Sequence, residues 1–584
     1  MKSSRTRYVL ISLAALAIIA IIMVERSPEA ADMVFVNGIV HTMDAKNTVV
    51  EAFAVRGDRI VGTGTSSYIE SKFKSEKIVD LNQRTVFPGF IDSHGHFFSL
   101  GLARMTVDLL GSNSEKEAAE RVRVRVERSR SGQWIRGRGW DQNEWQNRQF
   151  PTHASLDKVA PSNPVYLIRV DGHAIWVNRT ALQDAGIDRS TRDPDGGRIV
   201  RDTHGDPTGV FMDNAVQLVQ SHLPSMSDSE SVEAMHLAAE ECIKDGLTTI
   251  HDMGIDTVEL ALYKKLVESG ELPVRIYAAV GGVGELWNQF LKDGPLIGLG
   301  ENHLTVRALK MYMDGALGSR GAALVEPYSD DPGNRGLTVS TEETIRTATV
   351  QALKHGFQVC THAIGDRAND IVLRMYASAL NEVPVKDSRL RIEHAQVLEP
   401  ADIPKFKEYG IIPSMQPTHA TSDMYWAQAR LGPIRIRFAY AWRSLLETGV
   451  IIPGGSDFPV ENPNPIWGIY AAVTRKDKEG RPRNAEDGRK YFQFSSAGMT
   501  DTLAFDNGWY PAQKMTREEA LRSFTTWGAW AGFEENLKGS IQKGLLADFV
   551  ILSSDIATVP DEEILKVKVL QTFVGGKRVF SAEQ

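Results

Sequence analysis

From Met33 onward apolar and polar positions alternate. "MVFVNGIVHTMD" and "VVEAFAVRGDRIVGTG" carry a period of two, broken by Asn-Gly and Gly-Asp turns, which predicts a small antiparallel β unit. The far C-terminus has the same texture in "KGSIQKGLLADFVILSSD" and "VLQTFVGGKRVFS". Two β-rich ends around a different middle predict one composite β-sandwich, built from residues 31–86 and 535–584. Between the ends, apolar runs finish in polar clusters and lead into helix-period stretches. Predicted strands are "TVFPGFID", "LTTIHDMG", "VRIYAAV", "VRALKMYMD", "FQVCTHAIG", "LRIEHAQ", "GIIPSMQPT" and "GVIIPGGSD", with helices such as "TEETIRTATVQALKHG" and "PADIPKFKEYG" between them. Eight such units predict a parallel α/β architecture closed as a (β/α)8 barrel over residues 87–534. Residues 112–242, rich in Gly, Trp and turn residues, predict a substructure capping the barrel mouth.

One stretch departs from both patterns. Lys2, Arg5 and Arg7 precede an apolar run from Tyr8 to Val24. Its length is close to the roughly 20 residues that span a bilayer, and the basic flank favours an N-terminus left in the cytoplasm. Residues 1–30 are therefore expected to be a membrane anchor, or a signal segment if cleaved. Either way the catalytic domain is expected outside the cytoplasm, on the periplasmic side of a bacterium.

Composition narrows the chemistry. With 584 residues and 42% hydrophobic content the chain can bury a large core, and a net charge of −8 provides no basic footprint for nucleic acid. The two cysteines, Cys242 and Cys360, allow neither a disulfide framework nor a Cys-based zinc site. No G-x-S-x-G elbow is present, which argues against a serine nucleophile. In a parallel barrel, functional side chains come from the carboxyl ends of different strands. His94 and His96 close the first strand in "FIDSHGH", and extended alternation puts both imidazoles on one side. Lys310 lies in "VRALKMYMDG", His362 in "FQVCTHAIGD", His394 in "LRIEHAQ" and Asp457 in "GVIIPGGSDF". Each has a plain structural alternative, such as a helix N-cap for the aspartate. Their joint recurrence at strand ends points to a metal site.

"FPGFIDSHGH", "GRGWDQNEW", "DGHAIWVN", "KMYMDGALGSR", "THAIGD", "IEHAQ", "GSDFPVENPNPIWGIYAAVTR" and "KGLLADFVIL" together resemble the metal-dependent amidohydrolase superfamily. Within it they resemble the YtcJ-like (amidohydrolase 3) branch, which includes N-substituted formamide deformylases. The resemblance implies a distorted TIM barrel with a composite β-sandwich. It also implies that His94, His96 and Asp457 hold the more buried metal and that His362 and His394 hold a second. Lys310 would bridge the two as its carbamate. Zinc suits all-N/O ligands best, with two ions if Lys310 is carboxylated and iron, manganese or nickel as alternatives. Ligation lowers the pKa of a shared water and supplies a hydroxide nucleophile.

The implied reaction is hydrolysis of a non-peptide, amide-type carbon–nitrogen bond in a small molecule, with Asp457 moving the proton. His173 in the insertion is expected to face the substrate carbonyl, and Trp140, Asp141, Asp314 and Arg320 to line the substrate pocket. A related deaminase and a non-catalytic, membrane-tethered regulatory or binding protein are the alternatives. A homodimer is compatible with this class of barrel.

Overall fold

The computed structural model of the chain describes residues 28–224 and 226–582. Seven parallel strands form its centre. In sheet order they are Phe90–Gly95, Leu247–Ile255, Arg275–Gly281, Leu304–Tyr312, Gln358–Ala363, Arg391–His394 and Ile412–Ser414. Each is buried almost without interruption, as expected of parallel strands covered on both faces. Outer helices follow where the periodicity places them: Glu342–Lys354, with Thr341 accepting the Thr344 N–H, and Ile403–Tyr409, ended by Gly410 at φ 66°.

The eighth position is irregular. Residues 450–457 meet the seventh strand through one parallel bridge, Met415 to Gly454, with hydrogen bonds from Met415 N–H to the Pro453 carbonyl and from Gly455 N–H to the Met415 carbonyl, both 3.1 Å. They meet the first strand through Ser93 N–H to the Gly454 carbonyl (2.9 Å) and Asp457 N–H to the His94 carbonyl (2.6 Å). Proline brings no donor, so a full ladder is impossible here. The barrel is closed but distorted.

The predicted first strand "TVFPGFID" is two strands. Thr85–Pro88 joins the sandwich and Phe90–Gly95 the barrel. They part at Gly89, where a Cβ would lie 2.2 Å from the Thr248 side chain. Thr85–Pro88 pairs antiparallel with Phe549–Leu552, so both chain ends share one six-stranded sheet. A four-stranded sheet of Arg59–Gly64, Ala52–Arg56, Met33–Val36 and Ile78–Asp80 completes the sandwich. Its core stacks Phe35 on Phe53 and Phe549 on Phe573, with ring centroids 4.7 and 4.4 Å apart.

The cap is a six-stranded mixed sheet with Val107–Asp108 at one edge and, beyond Pro207–Asp213, Gly197–Arg201 at the other. Helix Asp228–Lys244, which leads into the second barrel strand, packs against helix Phe97–Met105 and belongs with the barrel. Trp140 was expected to line the substrate pocket, but it is fully buried in the cap core. It packs with Trp145 and Trp176, and its Nε1–H donates to the Leu167 carbonyl at 3.0 Å. Its bulk and single donor are spent on holding the cap together. The apolar run at 8–24 lies outside the described residues. Among the described residues no helix is long and apolar enough to cross a membrane.

Candidate metal centre

The carboxyl ends of the strands bring polar side chains to one floor. Asp457 leaves the closing segment beside His94 and His96. Its Oδ1 lies 3.1 Å from His96 Nε2 and 3.6 Å from His94 Nε2. Lys310 Nζ, from the fourth strand, is 3.2 Å from the same His94 nitrogen. The His394 ring sits 4.9 Å from that of His94 and 4.6 Å from that of His362. One donor atom each from His94, His394 and Asp457 lie within 4.8 Å of one another. The fold thus brings together all six side chains singled out in the sequence as candidate ligands.

Residues that sequence reasoning missed orient them. His94 Nδ1 is 2.5 Å from Glu393 Oε2. Glu393 is fully buried and paired with Arg391 Nε at 2.7 Å, and Arg391 also donates to the Ser93 carbonyl and Ser414 Oγ. His394 Nδ1 lies 2.7 Å from Gln416 Oε1. Committing Nδ1–H to an acceptor leaves the Nε2 lone pair free, the tautomer a ligand needs. Asp92 accepts the His94 N–H (3.0 Å) and the Ser456 hydroxyl (2.6 Å), which ties the first strand to the closing segment. Asp457 and His394 both hold positive φ, 59° and 75°, a strain on the order of 1–3 kcal/mol that clusters at functional sites.

The electrostatics favour a cation. Burial, with the Lys310 charge next in weight, pushes His94 down to about 4. Burial likewise holds His362 and His394 well below the usual histidine value. For Asp457 burial works the other way, but the imidazoles of His94, His96 and His394 override it and hold the carboxyl well below the usual range. Lys310 is depressed by burial. Asp457 Oδ1 is buried and satisfies no hydrogen bond. Neutral imidazole nitrogens converging with an ionised, unsatisfied carboxylate oxygen form an all-N/O donor set that fits a divalent cation.

Above this floor opens a cavity of about 1010 Å³, walled by His173, Asp141 and Arg169 from the cap and by His362, His394, His419 and Asp457 from the barrel. His173 faces His362, with ring centroids 5.0 Å apart, and its Nδ1 is 2.8 Å from Asp213 Oδ1. Burial alone would depress His173; the hydrogen bond and charge of Asp213 override it, and its pKa is raised. Asp141 lines the cavity but is paired with Arg169. His419, which sequence reasoning passed over in "QPTHATS", points Nε2 toward Asp457 Oδ2 at 3.7 Å.

Two expected pocket residues lie elsewhere. Asp314 is fully buried and accepts the N–H groups of Ala323 (2.8 Å), Ile364 (3.0 Å) and Gly365 (2.8 Å), so it shapes loops. Arg320 pairs with Asp330 at 3.0 Å. Neither is among the described residues that wall the cavity.

Close approach at the closing segment requires glycine. A Cβ on Gly455 would sit 2.6 Å from the His94 nitrogen and 2.8 Å from Asp92 Oδ1. Gly455→Ala is expected to push that segment off the first strand, at a cost of about 1–3 kcal/mol, and to lower metal content. A denaturation midpoint and metal stoichiometry equal to those of the unaltered protein would refute this.

The sequence model of the amidohydrolase family matches residues 77–580. YtcJ of Bacillus subtilis (strain 168) is 32% identical over 553 residues, covering 93% of this chain and 98% of that one. The N-substituted formamide deformylase of Arthrobacter pascens is 28% identical over 564 residues, covering 93% and 97%. Among solved structures, an uncharacterized metal-dependent hydrolase from Pyrococcus horikoshii OT3 superposes with a TM-score of 0.70 at 25% identity, covering 91% of this chain and 99% of that one. Fold, floor and comparisons agree: the chain belongs to the amidohydrolase family.

Proposed function

We propose that this hydrolase cleaves an amide-type, non-peptide carbon–nitrogen bond in a small molecule. In this reading it uses divalent metal, zinc first, held by His94, His96, Asp457, His362 and His394 with Lys310 between. The observation that carries the reading is the meeting of His94, His394 and Asp457 within 4.8 Å around a buried carboxylate oxygen that lacks a hydrogen bond. A bound divalent cation supplies Lewis acidity toward the carbonyl and acidifies water.

The chain's own groups do the rest. Asp457 is ionised, so it takes the proton of the attacking water and delivers it to the departing nitrogen, general acid–base work worth about 10²–10⁴-fold. His173, whose Nδ1–H donates to the buried Asp213 carboxylate, would donate to the carbonyl oxygen from Nε2–H as the imidazolium paired with that carboxylate. Lys310 is buried with a depressed pKa, and a neutral amine is the form that adds carbon dioxide and becomes an anionic oxygen ligand. The deformylase relative supports starting the substrate search with N-substituted formamides.

The test couples metal content by elemental analysis to formate and amine release from a panel of formamides and N-acyl amines. The unaltered protein is expected to carry stoichiometric divalent metal and to hydrolyse members of the panel. His94→Ala should lose metal and about 10²-fold or more in rate. A fully metal-loaded protein that hydrolyses nothing in the panel, or a His94→Ala variant with unchanged occupancy, would overturn the assignment.

A further inference from the structure

Asp213 ends the cap strand Pro207–Asp213, at the point where the cap meets the barrel. It touches His173 twice: its backbone N–H donates to the His173 carbonyl at 2.9 Å, and its Oδ1 lies 2.8 Å from His173 Nδ1. Its backbone is strained, with φ 49° and ψ −126°, outside the regions an L-residue adopts at no cost. The side chain is 2% exposed, and Oδ2 finds no hydrogen-bond partner among the described residues.

The barrel makes room for this carboxylate. A Cβ on Gly315 would lie 2.8 Å from Asp213 Oδ1, and one on Gly321 2.9 Å from Oδ2. Both glycines belong to the loop after the fourth strand, which also carries the Gly315 carbonyl 3.4 Å from His362 Nε2. A buried carboxylate on a strained backbone, fitted against two glycines, is costly for a residue that only packs. The cost is explained by what it holds: a cap imidazole that faces the floor.

Resting on the hydrolytic reading above, we propose that Asp213 is the positioning residue for His173. It accepts Nδ1–H and so fixes the ring plane, and its buried carboxylate pairs with the imidazolium, the form whose Nε2–H can donate to the substrate's carbonyl oxygen. Because that oxygen gains negative charge as the bond is attacked, the contact strengthens in the transition state and acts on kcat rather than KM.

The experiment is a double-mutant cycle on a formamide or N-acyl amine that the metal-loaded enzyme hydrolyses. His173→Ala is expected to lower kcat about 10²-fold or more, and Asp213→Asn to lower it about 10–100-fold. For Asp213→Asn, KM and metal stoichiometry should stay within twofold. In the His173→Ala background, Asp213→Asn should cost less than twofold, because its effect passes through the missing imidazole. Asp213→Gly, which relieves the backbone strain, should fold at least as well and lose kcat equally.

Unchanged kcat in His173→Ala would remove the role given to His173 and this inference with it. A damaged His173→Ala beside a fully active Asp213→Asn would sink the inference alone. So would losses that multiply in the double variant.

Discussion

Asp457→Asn is expected to lower kcat by about 10³-fold while leaving most of the metal bound. The amide keeps the shape of the side chain and one oxygen near His94 and His96, but it cannot accept a proton at neutral pH. In the folded protein burial would raise the carboxyl's pKa, but His94, His96 and His394 beside it lower it overall. In the proposed reading the position combines an edge-of-site ligand with a proton acceptor, and general acid–base work of this kind is worth about 10²–10⁴-fold. Stopped-flow turnover and elemental analysis on the same preparation check the prediction. Undiminished kcat removes the proton-transfer role, and loss of metal in step with rate reassigns Asp457 as a ligand only.

Glu393→Gln should destabilise the folded barrel by about 3–5 kcal/mol, because it strips the partner from a guanidinium that cannot reach water. Arg391 is fully buried, and Glu393 lies 2.7 Å away. Burial alone would raise the Glu393 carboxyl, but Arg391 and His94 override it and hold it below the ordinary value of 4.5. The sign follows. Stabilisation from a depressed carboxyl is complete above its unfolded value and is withdrawn as pH falls toward the folded one. The gap in unfolding free energy between the two proteins should therefore be constant at neutral pH and shrink below about 4.5. Denaturant titrations at several pH values measure it; equal stability at pH 7 would show that Arg391 has other adequate acceptors. The same variant should weaken metal binding, because a neutral amide accepts the His94 Nδ1–H less strongly than the carboxylate and leaves Nε2 a poorer ligand.

Much of this was legible in the chain itself. The strands announced themselves as apolar runs ending in polar residues, and the ends as period-two β texture, because burial on two faces or on one imposes those patterns. The six candidate ligands stood at strand ends, where a barrel gathers its chemistry. Other features were not legible, for physical reasons. Glu393 adjoins His394, and extended alternation would send neighbours to opposite faces; the positive φ of His394 breaks that rule. Arg391, Asp92 and Gln416 look like ordinary strand polar residues until their partners, far away in sequence, are in place. "GVIIPGGSD" reads as a strand, but proline and the close approach at Gly455 allow only one bridge. Trp140, Asp314 and Arg320 have residue types that suit a pocket, and whether such a residue faces substrate or core depends on packing that no local pattern encodes.

The strand bearing His94 is separated by a single residue from Thr85–Pro88, whose neighbour in the sheet is Phe549–Leu552. On the ribosome, the segment that founds the reactive floor therefore waits for Phe549–Leu552 before its base is anchored. Contacts of such long sequence separation are slow to form, so the first strand of the barrel is secured by a segment that emerges long after it. Until then His94 belongs to an unfastened strand, and stable loading of an ion there is postponed until that partner segment has been made.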